Sequence, residues 1–239
     1  MNIEVNNLIL EVTRRCNMHC AHCLRGNAQS IDMPPNLIKN VLKTIEGALS
    51  VTFTGGEPSL NVPAIERFFE EANKANKLPL YFYVVTNGLE NQVKLASTLL
   101  KWYPYMEDKE CCGIAMSKDK YHDIVEAPNF AEGLAFYRND KEHDVRASAS
   151  DDWVLSEGRA AENGIGYRKN LDTDIEFEYE EDNDTVYVDT LYVSVKGTVL
   201  GNYDCSYETI DDEGIPLTQL QAYFERRVKR ADELRWALA

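Results

Sequence analysis

The sequence predicts an α/β fold: a partial (βα)6-type TIM barrel with a parallel sheet, followed by a C-terminal antiparallel β-hairpin and a terminal helix. Three observations predict it. The first two-thirds of the chain alternates short apolar runs with longer amphipathic ones, the pattern of βα units. The chain has 239 residues and this alternation fills only about 160 of them, whereas a closed eight-unit barrel typically needs ~250. After Gly164-Ile165-Gly166 the hydrophobic period changes from helical to strict alternation. A boundary at residue 165 follows, with a barrel over 1–165 and an extension over 166–239.

The elements follow in order. Residues 8–12 form an apolar strand that leads straight into a run of cysteines. Pro34-Pro35 opens a helix to about residue 48, with Leu37, Ile38, Val41, Leu42 and Ile45 on one face. Residues 50–54 are a β-rich strand that stops at Gly55-Gly56. A helix over about 63–75 carries Ile65, Phe68, Phe69 and Ala72 at helical spacing. Residues 80–86 form a third strand, stopped by Asn87-Gly88, and a helix over about 92–102 follows. A fourth strand at 112–116, a helical stretch near 130–138 and a short strand near 144–149 complete the alternation. Beyond residue 166, Ile175, Phe177 and Tyr179 alternate with Glu176, Glu178 and Glu180. Val186, Val188 and residues 192–195 continue the strand signal, with a turn at Lys196-Gly197. Residues 216–239 read as an amphipathic helix with Leu220, Phe224, Val228 and Ala231 in register.

The formal net charge is −15, from 25 basic and 40 acidic side chains. Nearly all of it sits in residues 171–213, where Lys196 is the sole basic residue against 14 acidic ones. The acidity and the lack of a basic aromatic patch argue against a nucleic-acid partner. No stretch approaches the ~20 apolar residues of a membrane span. No basic segment followed by an apolar one marks a signal peptide, so a cytoplasmic location is expected.

Six cysteines lie at positions unlike a disulfide framework. Cys16, Cys20 and Cys23 crowd into eight residues in a C-x3-C-x2-C spacing, Cys111 and Cys112 are adjacent, and Cys205 stands alone. Three thiolates on one short loop can grip three corners of a [4Fe–4S] cluster and leave one iron for a non-protein ligand. A tetrahedral zinc site of the three cysteines with His19 or His22 is the rival reading of the spacing. His122 and His143 read as lone histidines, His122 as a surface one.

The rest of the sequence separates the readings. The cysteine run follows the first strand, and Thr54-Gly55-Gly56-Glu57-Pro58 closes the second. In that order and separation the pair resembles the radical S-adenosylmethionine (radical SAM) enzymes over about residues 5–165. The resemblance implies that Cys16, Cys20 and Cys23 ligate three irons of a [4Fe–4S] cluster and that S-adenosylmethionine chelates the fourth. It implies that the backbone of Gly55, Gly56, Glu57 and Pro58 binds the methionyl amine. Ser117 falls where the family has a ribose- or carboxylate-contacting polar residue. Arg159, in a segment that resembles a late strand of many members, is implied as a partner of the SAM carboxylate. His22 stands where an aromatic residue commonly stacks near adenine. The implied reaction is reductive cleavage of S-adenosylmethionine to a 5′-deoxyadenosyl radical that abstracts hydrogen, fed by a one-electron donor such as flavodoxin or ferredoxin.

Residues 192–199 followed by Cys205 resemble the opening of the cysteine-rich extension of peptide-modifying members, cut short after one cysteine. The implied substrate is a peptide or protein. A glycyl-radical enzyme activase is the alternative, and a non-catalytic metal- or cluster-binding module a third reading. The acidic segment has two readings as well. Glu176, Glu178 and Glu180 blunt an exposed strand edge, or Glu180, Glu181, Asp182 and Asp184 steer a basic substrate toward the open barrel.

Overall fold

The computed structural model of the chain describes residues 1–117, 119–122, 128–138 and 154–238. Its centre is an open sheet of nine strands among the described residues, in the order β5-β4-β3-β2-β1-β7-β8-β9, with β6 paired to β7. The first five strands are β1 (Asn2–Thr13), β2 (Gly47–Gly55), β3 (Tyr81–Thr86), β4 (Gly113–Met116) and β5 (Tyr137–Arg138). All run parallel, each beside the next. Helices α1 (Pro35–Thr44), α2 (Val62–Lys74) and α3 (Gln92–Trp102) make the first three crossovers. Among the described residues the sheet does not close.

One face of the sheet is apolar because the helices cover it. Leu8, Leu10, Val12, Val51, Phe53, Phe82, Val84 and Ile114 are fully buried. Between the sheet and the helices lies an aromatic cluster, with Phe53 edge-on to Phe68 and Phe69 at 5.5 Å and Phe69 stacked on Trp102 at 5.6 Å.

The antiparallel extension joins this same sheet. Strand β7 (Thr185–Val193) lies parallel along the free edge of β1, from Asn2 opposite Thr185 to Leu10 opposite Val193. Strands β6 (Phe177–Glu180) and β8 (Thr198–Leu200) pair antiparallel with its two halves. Glu176, Glu178 and Glu180 point to solvent along the edge, as the alternation predicts. The register also sets where the acids lie. Glu180 pairs with Thr185, and Thr185 with Asn2, so the acidic turn after β6 sits at the N-terminal end of β1. The cysteines follow its other end. Eleven residue steps of about 3.3 Å separate the two by about 35 Å. Glu180, Glu181, Asp182 and Asp184, read alternatively as steering a basic substrate, therefore lie several screening lengths from the cysteine loop, since charge is screened beyond about 8 Å at physiological salt.

Other elements differ from the sequence reading. The helix expected near 130–138 is a 3-10 turn (Ala131–Gly133) followed by β5, because Phe136 and Tyr137 are drawn into the core and the Ile114 amide donates to the Phe136 carbonyl at 2.6 Å. The strand expected near 144–149, and His143, lie outside the described residues. The segment holding Arg159 is a short helix, α4 (Gly158–Glu162), and not a strand. A further helix, α5 (Tyr207–Glu213), starts at the Ser206 cap, whose hydroxyl accepts from the Thr209 amide at 3.2 Å. Ile215–Pro216 form β9 against β8, so the terminal helix α6 (Leu220–Leu238) begins four residues later than expected. Leu220 and Phe224 anchor α6 in the core. No helix among the described residues is long and apolar enough to cross a membrane.

Candidate active site

Parallel strands carry their C-terminal ends to one edge of the sheet, and this is where the residues singled out by the sequence gather. The cysteine loop leaves β1, Gly55-Gly56-Glu57-Pro58 leaves β2, Thr86-Asn87-Gly88 leaves β3 and Ser117 leaves β4. The turns are tied directly to one another. The Gly56 amide donates to the Thr13 carbonyl and the Glu57 amide to the Arg15 carbonyl, both at 2.8 Å. The Ser117 amide donates to the Thr86 carbonyl at 2.9 Å.

The glycines of this turn answer first to the chain itself. A Cβ on Gly56 would stand 2.7 Å from the Arg15 carbonyl carbon and 2.9 Å from the Arg14 carbonyl oxygen. Gly55 has φ +145° and its missing Cβ points into the Thr13 backbone. The turn can therefore press against the strand that launches the cysteines.

Glu57 is 1% exposed and its carboxylate is the knot of the edge. It accepts from the Thr86 hydroxyl at 2.6 Å, the Asn87 amide at 2.7 Å and the Ser59 amide at 3.0 Å. Burial pushes its pKa up against these three donors. Asn87 passes the connection on, donating from Nδ2 to Asn17 Oδ1 at 2.8 Å, next to Cys16.

Within the loop, Cys16, Cys20 and Cys23 are free thiols of intermediate exposure. The Cys23 amide donates to the Cys20 carbonyl at 3.2 Å, and the Met18 amide points at Cys16 Sγ at 3.4 Å. Burial raises the Cys16 pKa, helped by the nearby Glu57 carboxylate and the Cys23 and Cys20 thiols. Arg159 closes the loop from α4. Its amide donates to the Cys23 carbonyl at 2.9 Å, its guanidinium meets the His19 ring, and the side chain is buried.

His122 is not the surface histidine that its isolation in the sequence suggests. Its Nδ1 lies 2.8 Å from Asp119 Oδ2, and its ring also meets the Cys20 thiol. Burial lowers the His122 pKa, but Asp119 and Cys20 outweigh it and hold the value up at about 10. His22 stacks on Tyr121 at 4.5 Å, edge-on to His122 at 5.0 Å. Burial lowers the His22 pKa, with His122 and Arg159 adding to the effect against Asp119. Sequence spacing gives no signal for this cluster, because residues 119–122 reach the loop only through the β1-β2-β3-β4 order. Cys112 and Cys205 are packed in two separate hydrophobic clusters and Cys111 is exposed, so these three do not form a second metal centre.

An open α/β sheet with a three-thiol loop and a Gly-Gly-Glu-Pro turn at adjacent strand ends defines a class of cluster-bearing enzyme. A model of the radical SAM superfamily matches residues 10–132, and the chain belongs to that superfamily. Its cofactors are therefore a [4Fe–4S] cluster and S-adenosylmethionine. An uncharacterized protein of Methanocaldococcus jannaschii is 31% identical over 99 residues, covering 40% of this chain and 35% of that protein. The radical SAM cyclopropyl synthase TigE of Paramaledivibacter caminithermalis is 28% identical over 120 residues, 41% of this chain and 25% of TigE. The chain thus spans about a third or less of the curated relatives it matches. Among solved structures, anSMEcpe with bound AdoMet and Cp18Cys peptide shows 22% identity and a TM-score of 0.40, covering 50% of this chain and 33% of that one. The edge also has the chemistry to receive both cofactors. Three thiols share one loop, a backbone amide faces one sulfur, and the buried Asn17 Nδ2, His22 Nδ1 and Arg159 Nε have no hydrogen-bond partner among the described residues.

Proposed function

We propose that the chain is a peptide- or protein-modifying radical SAM oxidoreductase in which Cys16, Cys20 and Cys23 hold three irons and the Gly55–Pro58 backbone, His22, Ser117 and Arg159 line the S-adenosylmethionine site. The observation that carries this reading is the direct bonding of the cysteine-bearing strand to the Gly-Gly-Glu-Pro turn through the Gly56 and Glu57 amides. When bound, the cluster and S-adenosylmethionine supply a carbon-centred radical that abstracts hydrogen from substrate.

The chain's own residues do the rest. Glu57 spends its carboxylate on Ser59, Thr86 and Asn87 and its amide on the Arg15 carbonyl, so it holds the turn in place beside the cysteine loop. Asn17 and Arg159 present unpartnered donors beside the cysteines, suited to a carboxylate. His22, backed by Tyr121, offers a flat face of the kind an adenine stacks on. A one-electron donor such as flavodoxin or ferredoxin fits an intracellular setting with six free cysteines.

The test is anaerobic reconstitution with iron and sulfide, followed by reduction and mass-spectrometric detection of 5′-deoxyadenosine. Formation that is lost in Cys16→Ala supports the reading, and formation equal to that of the variant overturns it.

A further inference from the structure

Two arginines bracket the cysteine run: Arg14 lies two residues before Cys16, and Arg25 two residues after Cys23. Both are held by the α5 region, 180 or more residues further along the chain. Arg14 is fully buried. Its two terminal nitrogens grip the carboxylate of Asp211 on α5 at 2.9 and 2.8 Å, and its Nε donates to Glu11 at 2.5 Å. Its guanidinium lies over the Tyr207 ring at 4.4 Å. Arg25 Nη1 donates to the Cys205 carbonyl at 2.6 Å, and the Tyr207 amide donates back to the Arg25 carbonyl at 3.0 Å. Arg25 also lies over the Tyr192 ring at 5.0 Å, and Tyr192 donates to Glu11 at 2.7 Å. Lys196 completes the set by donating to Asp211 at 2.6 Å.

Charge explains why Asp211 matters in this set. Arg14, Arg25 and Lys196 gather around Glu11 and Asp211, so the set carries one net positive charge with Asp211 present and two without it. A two-pronged Arg–carboxylate pair also fixes direction as well as distance. Both exits of the cysteine run are thereby pinned to one short helix.

We propose that α5 and the Cys205 turn brace the cysteine loop, with Asp211 the positioning residue that holds Arg14 and, through it, the backbone entering Cys16. The extension thus serves the radical-forming loop directly. This rests on the reading of Cys16, Cys20 and Cys23 as cluster ligands, so the test has one arm that needs no cluster.

In that arm, amide hydrogen exchange is followed on the full cluster-free chain. Asp211→Asn is expected to speed exchange across residues 16–29 by about tenfold or more, while residues 81–86 of β3 keep the wild-type rate. Asp211→Glu is expected to bring the loop back toward wild type. In the second arm, reconstituted Asp211→Asn is expected to release iron to a chelator at least about threefold faster and to show a changed electron paramagnetic resonance signal on adding S-adenosylmethionine. Should Asp211→Ala unfold, faster exchange appears everywhere, and the isosteric Asp211→Asn decides. Loop exchange within about twofold of wild type in Asp211→Asn overturns the brace. A wild-type chain that takes up no iron, while Asp211→Asn loosens the loop, sinks the cluster assignment and leaves the brace standing.

Discussion

Replacing Gly56 with alanine tests the contact on which the site is built. The added Cβ would lie 2.7 Å from the Arg15 carbonyl carbon and 2.9 Å from the Arg14 carbonyl oxygen, and both neighbours are backbone. Ordinary carbon contacts need about 3.5 Å, so the turn and the strand exit must part by at least roughly 0.8 Å, and further to clear the Arg15 carbonyl oxygen, which lies nearer still. That shift stretches the 2.8 Å bond from the Gly56 amide to the Thr13 carbonyl to the limit of a hydrogen bond. Overpacking costs about 1–3 kcal/mol and the weakened bond about 1 kcal/mol more. At about 2–4 °C per kcal/mol for a chain of this size, the melting temperature falls by roughly 5–15 °C. Activity falls further than stability, since a displacement near 1 Å between reacting groups can cost about 100-fold. The assay is thermal melting by circular dichroism together with 5′-deoxyadenosine formation below the melting point. Gly133→Ala is the control, because a Cβ there meets nothing within 4 Å. A Gly56→Ala protein that melts within about 1 °C of wild type, with unchanged turnover, refutes the packing of turn against cysteine strand.

Further outcomes follow from the same edge. Glu57→Gln leaves one carboxamide oxygen to serve donors from Ser59, Thr86 and Asn87, so at least one buried N–H loses its acceptor. The expected cost is about 1–3 kcal/mol, read as a lowered urea midpoint at constant slope. His122 has its folded pKa held at about 10, above the ordinary 6.5, so its contribution to stability is complete below pH 6.5 and is lost as pH rises through about 10. Urea unfolding of the cluster-free chain at pH 6, 8 and 10 should show that decline in wild type and a flatter profile in His122→Gln; parallel profiles would contradict it. Reversing Glu180, Glu181 and Asp182 to lysine should leave 5′-deoxyadenosine formation and its salt dependence within about twofold of wild type, given their distance from the cysteine loop.

What was legible in the sequence was local. The cysteine spacing, the Gly-Gly-Glu-Pro turn and the apolar faces of α1 to α3 depend on residues close along the chain; the structure sets the first two at adjacent strand ends and buries the helix faces, with α1 ending at Thr44, short of the residue 48 that the spacing suggests. What escaped depends on distant pairing. Helix α5 ends in Asp211, Asp212 and Glu213, an unfavourable charge at a helix C-terminus, and reads as a loop until Arg14 and Lys196 are seen gripping Asp211. Pro216 is an apt first residue for a helix, yet its neighbour Ile215 pairs with Val199, so the chain stays extended. The acids after β6 left two readings open because nothing short of the β1–β7 register shows that they sit at its far end. His122 looked solitary for the same reason, as only the parallel order brings Asp119 and His122 against Cys20 and His22.

The central claim is that three cysteines and the turn beside them form one radical-generating site. Its most direct measurement is iron, sulfide and 5′-deoxyadenosine together, in anaerobically reconstituted wild type and in Cys16→Ala. The account predicts about four irons per chain and dithionite-dependent 5′-deoxyadenosine in wild type, both lost in the variant. Tightly held zinc in place of iron, or 5′-deoxyadenosine no greater than in the variant, would contradict it.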